Sequence, residues 1–239
     1  GYWLETVGAN TIGLAGGGLA AGVNTTLFIA NSSANITGGT TATAVQNGAS
    51  LGAVGVDGLL WARRVFNPGA AALTALTVNF SNGGDTASFT GRDLTGLNAM
   101  PLVQNLTVSG ASNPLSPLVN WELPAAALAG DIDLIQLVFY NDDTNLEVGN
   151  RVTLASTATS FQIKSALPLN FNLVVNVRLV DLFDDTAAFV AGNIQRESRA
   201  YANYTATVPE PDSLALASLA FAALGVSRRR ARQRSTAQA

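Results

Sequence analysis

Between Phe171 and Val180 the chain reads FNLVVNVRLV, placing Phe171, Leu173, Val175, Val177 and Leu179 on alternate positions. A period of two puts those five side chains on one face of a β-strand; a helix would scatter them around its circumference. Runs of similar strand character recur at Thr25–Ala30, Leu59–Phe66, Ala72–Phe80 and Thr86–Gly91. They continue at Gln104–Gly110, Leu118–Leu123 and Ile132–Asn141, in two strands within Thr159–Asp181, and at Ser198–Val208. Turn formers separate them: Asn67-Pro68-Gly69, the Gly83-Gly84 pair between Asn82 and Asp85, Asn113-Pro114 and Leu167-Pro168. The expected class is all-β, with two β-sandwich-like units followed by a short C-terminal hydrophobic helix. The expected boundaries are 1–100 for a low-charge Gly/Ala/Thr-rich β domain, 101–208 for the second sandwich and 209–239 for a tail.

Charge separates the tail from the body. Residues 1–208 carry 14 acids and 8 bases, a balance of −6, while 209–239 carry 2 acids and 5 bases, a balance of +3. The body has no basic stripe, so nucleic acid is not an expected partner. Only 12% of residues are charged, about half the usual share, and small polar residues fill the gap. Neutral, strand-rich surfaces of this kind suit an extracellular protein. No charged n-region followed by an apolar h-region opens the sequence, so export must be read from elsewhere.

Cysteine and histidine are both absent from the 239 residues. That removes disulfides, thiolate nucleophiles, imidazole metal ligands and the Ser-His-Asp triad. Gly16, Gly18 and Ala21 match a relaxed dinucleotide fingerprint, yet no helix pattern follows and the next acid is Asp57. The segment reads as a Gly-rich strand approach. The loop acids fall in three groups: Asp131 with Asp133; Asp142, Asp143 and Glu147; and Asp181, Asp184 and Asp185. Their oxygens suit Ca²⁺, but they lack a repeated calcium motif and read as solvated turns, with no cofactor or metal expected. Paired carboxylates of a glycosidase are disfavoured because nothing in such turns raises a pKa. Six sequons, at Asn24, Asn31, Asn35, Asn79, Asn105 and Asn203, are what an Asn- and Thr-rich chain shows by chance.

Residues Leu102 to Val208 resemble a fibronectin type III domain. The carriers are Trp121 in VNWEL, expected on the second strand, and Leu167-Pro168 ahead of the sixth. Phe171 stands where the family has a tyrosine, so a corner hydrogen bond through its hydroxyl is not available. The resemblance implies a β-sandwich in which Asp131 lies at the same end as Asp184 and Asp185.

The tail has three parts in order: Pro209-Glu210-Pro211, an uncharged run from Ser213 to Val226, and a basic cluster at Arg228, Arg229, Arg230, Arg232 and Arg234. As a helix the run would measure roughly 21 Å, short of the roughly 30 Å of a hydrocarbon core. The arginines would hold that end on the cytoplasmic side. The tail resembles the PEP-CTERM sorting signal of Gram-negative bacteria, with Pro209, Glu210 and Pro211 as the motif and Arg228, Arg229 and Arg230 as the basic stop. The resemblance implies export, transient membrane contact through the tail, and an exosortase-type transpeptidase as partner. It also associates the chain with exopolysaccharide-producing or biofilm-forming cells.

The expected function is a non-catalytic structural protein of the cell surface or extracellular matrix. The low-charge segment Gly1–Val56 is a candidate for self-association into fibres by strand exchange. The rival is a carbohydrate-binding or adhesive module with polysaccharide as partner, favoured by exposed Trp and Tyr and sunk by burial of Trp3, Trp61 and Trp121.

Overall fold

A computed structural model describes residues 2–9, 21–30, 40–57, 60–110, 113–125, 131–183 and 193–207. The first half holds β1 (Tyr2–Val7), β2 (Gly22–Ala30), β3 (Thr41–Gln46), β4 (Ala49–Ala53), β5 (Gly55–Asp57), β6 (Leu60–Phe66), β7 (Leu76–Asn82) and β8 (Asp85–Thr90). The second half holds β9 (Gln104–Ser109), β10 (Leu118–Glu122), β11 (Leu134–Asn141), β12 (Leu146–Glu147), β13 (Val152–Ala155), β14 (Ser160–Gln162), β15 (Phe171–Leu182) and β16 (Ile194–Ala206).

Each strand run read from the sequence contains a strand, with one trimmed: Ala70–Leu73 forms a 3-10 turn, and β7 starts only at Leu76. The sequence reading did not mark β1, β3, β4, β5, β12 or β13. The β3–β4 hairpin had a local signal in Asn47-Gly48, both at positive φ (51° and 74°), the geometry of a two-residue I′ turn.

Nine strands form one sheet in the order β12-β11-β15-β16-β1-β2-β6-β5, with β13 also on β11. Two smaller sheets, β14-β10-β9 and β4-β3-β7-β8, complete the body. In the second half, β9, β10 and β14 oppose β13, β11, β15 and β16 across a shared core, a β-sandwich. Trp121 sits on its second strand, and Leu167-Pro168 precede β15, as the resemblance implied. In place of a corner tyrosine, the Tyr204 hydroxyl on β16 donates to the Pro114 carbonyl at 2.7 Å.

One side of the long sheet carries two apolar cores. Val119 and Trp121 pack on Ile135, Leu137, Leu173, Val175, Val177 and Leu179. Ala44 and Val78 of the other small sheet pack on Tyr2, Leu4 and Leu27. The alternate positions of β15 therefore share a face, and that face is core. The cores divide near Met100, but the backbone does not: β1 runs parallel to β16, pairing Leu4 with Arg196 through Val7 with Arg199, and antiparallel to β2. Residues Gly1–Ala206 accordingly form one compact unit. The expected C-terminal helix falls outside the described residues.

Candidate functional site

The opposite side of the long sheet holds a buried charged cluster between two small apolar ones, around Trp3 and Val180 and around Val138 and Val174. Register aligns Glu5 of β1 with Glu197 of β16, and Val7 with Arg199, Arg178 of β15 and Gln136 of β11. Two carboxylates side by side in a low-dielectric setting repel unless a cation lies between them. Arg199 supplies it: its Nε lies 2.7 Å from Glu5 Oε1 and 2.5 Å from Glu197 Oε1. Thr26 Oγ1 on β2 donates to Glu5 Oε2 at 2.7 Å. Arg178 lies 3.7 Å from Glu197 and donates to the Tyr140 hydroxyl at 3.2 Å. Glu5 and Glu197 are 0% and 1% exposed, and the two arginines balance their charge.

Burial pushes the Glu197 carboxyl up, but Arg199 and Arg178 outweigh it and hold the pKa below the ordinary range. Burial alone would weaken the proton on Arg199, yet Glu197 and Glu5 hold it more firmly than usual. Arg178 is shifted down, first by burial and then by Arg199. The paired charges tie β1, β2, β16 and β15 together as a clamp.

A second feature is an apolar cleft of about 600 Å³ at the open edge of the second-half sandwich. It lies where β13 and β14 end their respective sheets without pairing to each other. Phe139, Val152, Phe161, Leu167, Phe171 and Leu173 line it, with Lys164 and Asn150 as polar members. The Phe139 and Phe161 rings stand 6.2 Å apart.

The loop acids have local structural roles. Asp133 accepts the Leu182 backbone N–H at 2.7 Å, and Asp181 is bonded by Gln195 and Arg196. Asp143 accepts from the Asn172 amide at 2.9 Å, and Glu147 pairs with Arg151 at 2.8 Å. Asp184 and Asp185 lie outside the described residues, so their expected place beside Asp131 is not described. Among the described residues no group of three or more acids is placed to hold a metal ion.

The Gly16–Ala21 motif lies outside the described residues except Ala21, and the chain enters strand β2 after it. Asn24 is fully buried and cannot be a glycan acceptor in the folded protein, whereas Asn79, Asn105 and Asn203 are exposed. Trp3 and Trp121 are buried, each 3% exposed; the Trp61 side chain lies outside the described residues. Pro209, Glu210, Pro211, Arg228, Arg229 and Arg230 also lie outside the described residues.

Comparison with known proteins decides the tail. Residues 207–230 match the family model of the PEP-CTERM protein-sorting motif. The match marks an exported, surface-directed protein and is consistent with an exosortase partner. No curated protein matches the chain. Among solved structures, one titled as a myokine structure aligns at 13% identity and a TM-score of 0.33, covering 46% of this chain and 100% of that one. The chicken CNTN1 FN1–FN3 domains align at 12% identity and a TM-score of 0.34, covering 71% of this chain and 56% of that one.

The buried clamp is the feature that sequence reasoning missed. The sequence reading singled out none of its four charges, and it is the pairing of β16 with β1 and with β15 that brings them together.

Proposed function

We propose that this is a non-catalytic structural protein of the cell surface or extracellular matrix, released to that place after an exosortase acts on its tail. The carrying observation is the sorting-motif match over residues 207–230. The body supports the reading in its own way: its buried carboxylates are neutralised by arginines, and its outer surfaces are short of charge. Polymer formation by exchange of a strand from Gly1–Val56 carries a structural condition. β1 and β2 are interior strands, each paired on both sides, so donating them means first opening the long sheet.

The test is intact-mass spectrometry of protein recovered from the native cell surface. A mass ending near Pro209–Pro211 supports sorting, and a surface population retaining the Arg228–Arg230 cluster overturns it.

The rival reading, a polysaccharide-binding module, is favoured by one observation. Thr41, Thr43, Asn79, Ser81, Thr86 and Ser88 form an exposed, uncharged polar face on three neighbouring strands. Retention on insoluble polysaccharide, lost in Thr43→Lys, supports that reading; equal retention of both forms removes it.

A further inference from the structure

Among the described residues, strand β8 is an open edge. It pairs there with β7 alone, from Thr77–Thr90 to Asn82–Asp85, with no shift of register. The Gly91 N–H donates to the Leu76 carbonyl at 2.8 Å, and these residues stand opposite each other in continuation of that register. Hydrogen-bonded positions recur every second residue in an antiparallel pair. Asp85, Ala87 and Phe89 therefore turn their backbone groups to β7, while Thr86, Ser88 and Thr90 turn theirs outward. All three outward residues are exposed.

Soluble sheets protect such edges with proline, lysine, bulges or very short strands. Other described edge strands carry one of these devices. β4 is bulged and holds Gly52 at φ 87°, β9 has a register shift and Asn105 at φ 50°, and β5, β12, β13 and β14 have at most four residues. β8 has six residues, DTASFT, with no proline or lysine and one charge, Asp85, at its start.

We propose that β8 pairs antiparallel with β8 of a second copy of this chain, about a two-fold axis through Ser88. That register sets Ser88 opposite Ser88 and Thr86 opposite the second copy's Thr90, each pair exchanging both its N–H···O=C bonds. The same operation sets Ala87 against the second copy's Phe89 on the other face. Hydroxyl meets hydroxyl, a small apolar residue meets a large one, and no like charges oppose each other. Asp85 falls opposite Gly91, clear of its own mate. The result is an isologous, closed dimer in which two four-stranded sheets become one. It stands on the fold alone and not on the sorting reading. It also uses up β8, so any further growth must start from another edge.

The full chain, its Ser88→Lys and Ser88→Pro variants, and two cysteine variants test this. Lysine places like charges across the axis. Proline removes an outward donor without touching the ladder to β7. The native chain is expected to sediment at twice its 24.6 kDa mass and both variants at the monomer mass, with unchanged circular dichroism. The chain has no native cysteine, so Ser88→Cys should cross-link to a dimer under mild oxidation, and Ser50→Cys on β4 should not. A monomeric native chain, association that Ser88→Lys leaves unchanged, or equal cross-linking of the two cysteine variants overturns the pairing.

Discussion

The two faces of the long sheet solve burial by opposite means. On one face Ile135, Leu137, Val175, Val177 and Leu179 meet the small sheets, and the gain is transfer of apolar surface from water, about 25 cal/mol per Å². On the other, Glu5, Glu197, Arg199 and Arg178 are taken out of water together, and Coulomb attraction offsets a desolvation cost of several kcal/mol per ion. The apolar face tolerates exchange of one aliphatic residue for another. The charged face does not tolerate loss of a single member, because the remaining ions are then buried with their charges unbalanced. Asn24 and Asn176, both fully buried, lie on that face as well, and among the described residues their amides have no hydrogen-bond partner. The difference makes the apolar face the source of net stability and the charged face the source of register.

Removing the shared cation is the most damaging change. Arg199→Met leaves two buried carboxylates facing each other across the β1–β16 seam and should cost about 3–5 kcal/mol in urea unfolding. If it costs less than Leu137→Ala, the contrast between the faces fails. Leu137, fully buried on the apolar face, should lose about 3 kcal/mol on truncation, the transfer term plus a cavity.

Acid separates the faces without mutation. The Glu197 pKa is lowered in the fold, so its contribution is present above its ordinary value of 4.5 and is lost as pH falls through the folded value. Asp181, raised chiefly by burial, works in the opposite sense, its contribution fading as pH rises through its folded value. Stability measured by chemical unfolding should therefore decline below about pH 4.5 in the native protein. That decline should be smaller in Arg199→Met, which lacks the main cause of the Glu197 shift. An unchanged acid limb in the variant would show that the clamp is not its origin.

The smallest effect is expected at the exposed pair. Arg151 holds Glu147 below the usual carboxylate range, yet both side chains are partly solvated, and Arg151→Ala should change stability by no more than about 0.5 kcal/mol. A larger loss would mean that geometry alone, without burial, can make an ion pair count here.

Much of the architecture was legible locally. Alternation announced β15, Gly83-Gly84 announced the β7–β8 hairpin, and the strand runs around Trp121 and Leu167-Pro168 announced the second sandwich. β1 was not legible, because YWLETV is short and carries a glutamate that alternation cannot assign to a buried face. β13 had a turn signal ahead of it in Gly149-Asn150, yet at four residues it is too short for alternation to announce a strand. The buried clamp had no signature at all, since Glu5 and Glu197 are 192 positions apart in the sequence.

The sequence by itself determined the strand class, the exclusion of cysteine and histidine chemistry, and the address carried by residues 207–230. Each of these is written in composition or in short-range order: a period of two, a missing residue type, a tripartite run. Only the tertiary structure decided that the two halves share one sheet, that the carboxylates of Glu5 and Glu197 are buried between arginines, and that β8 is left with an unprotected edge. Those outcomes depend on which distant strands pair, and strand pairing is selected by the whole set of faces that must be buried at once.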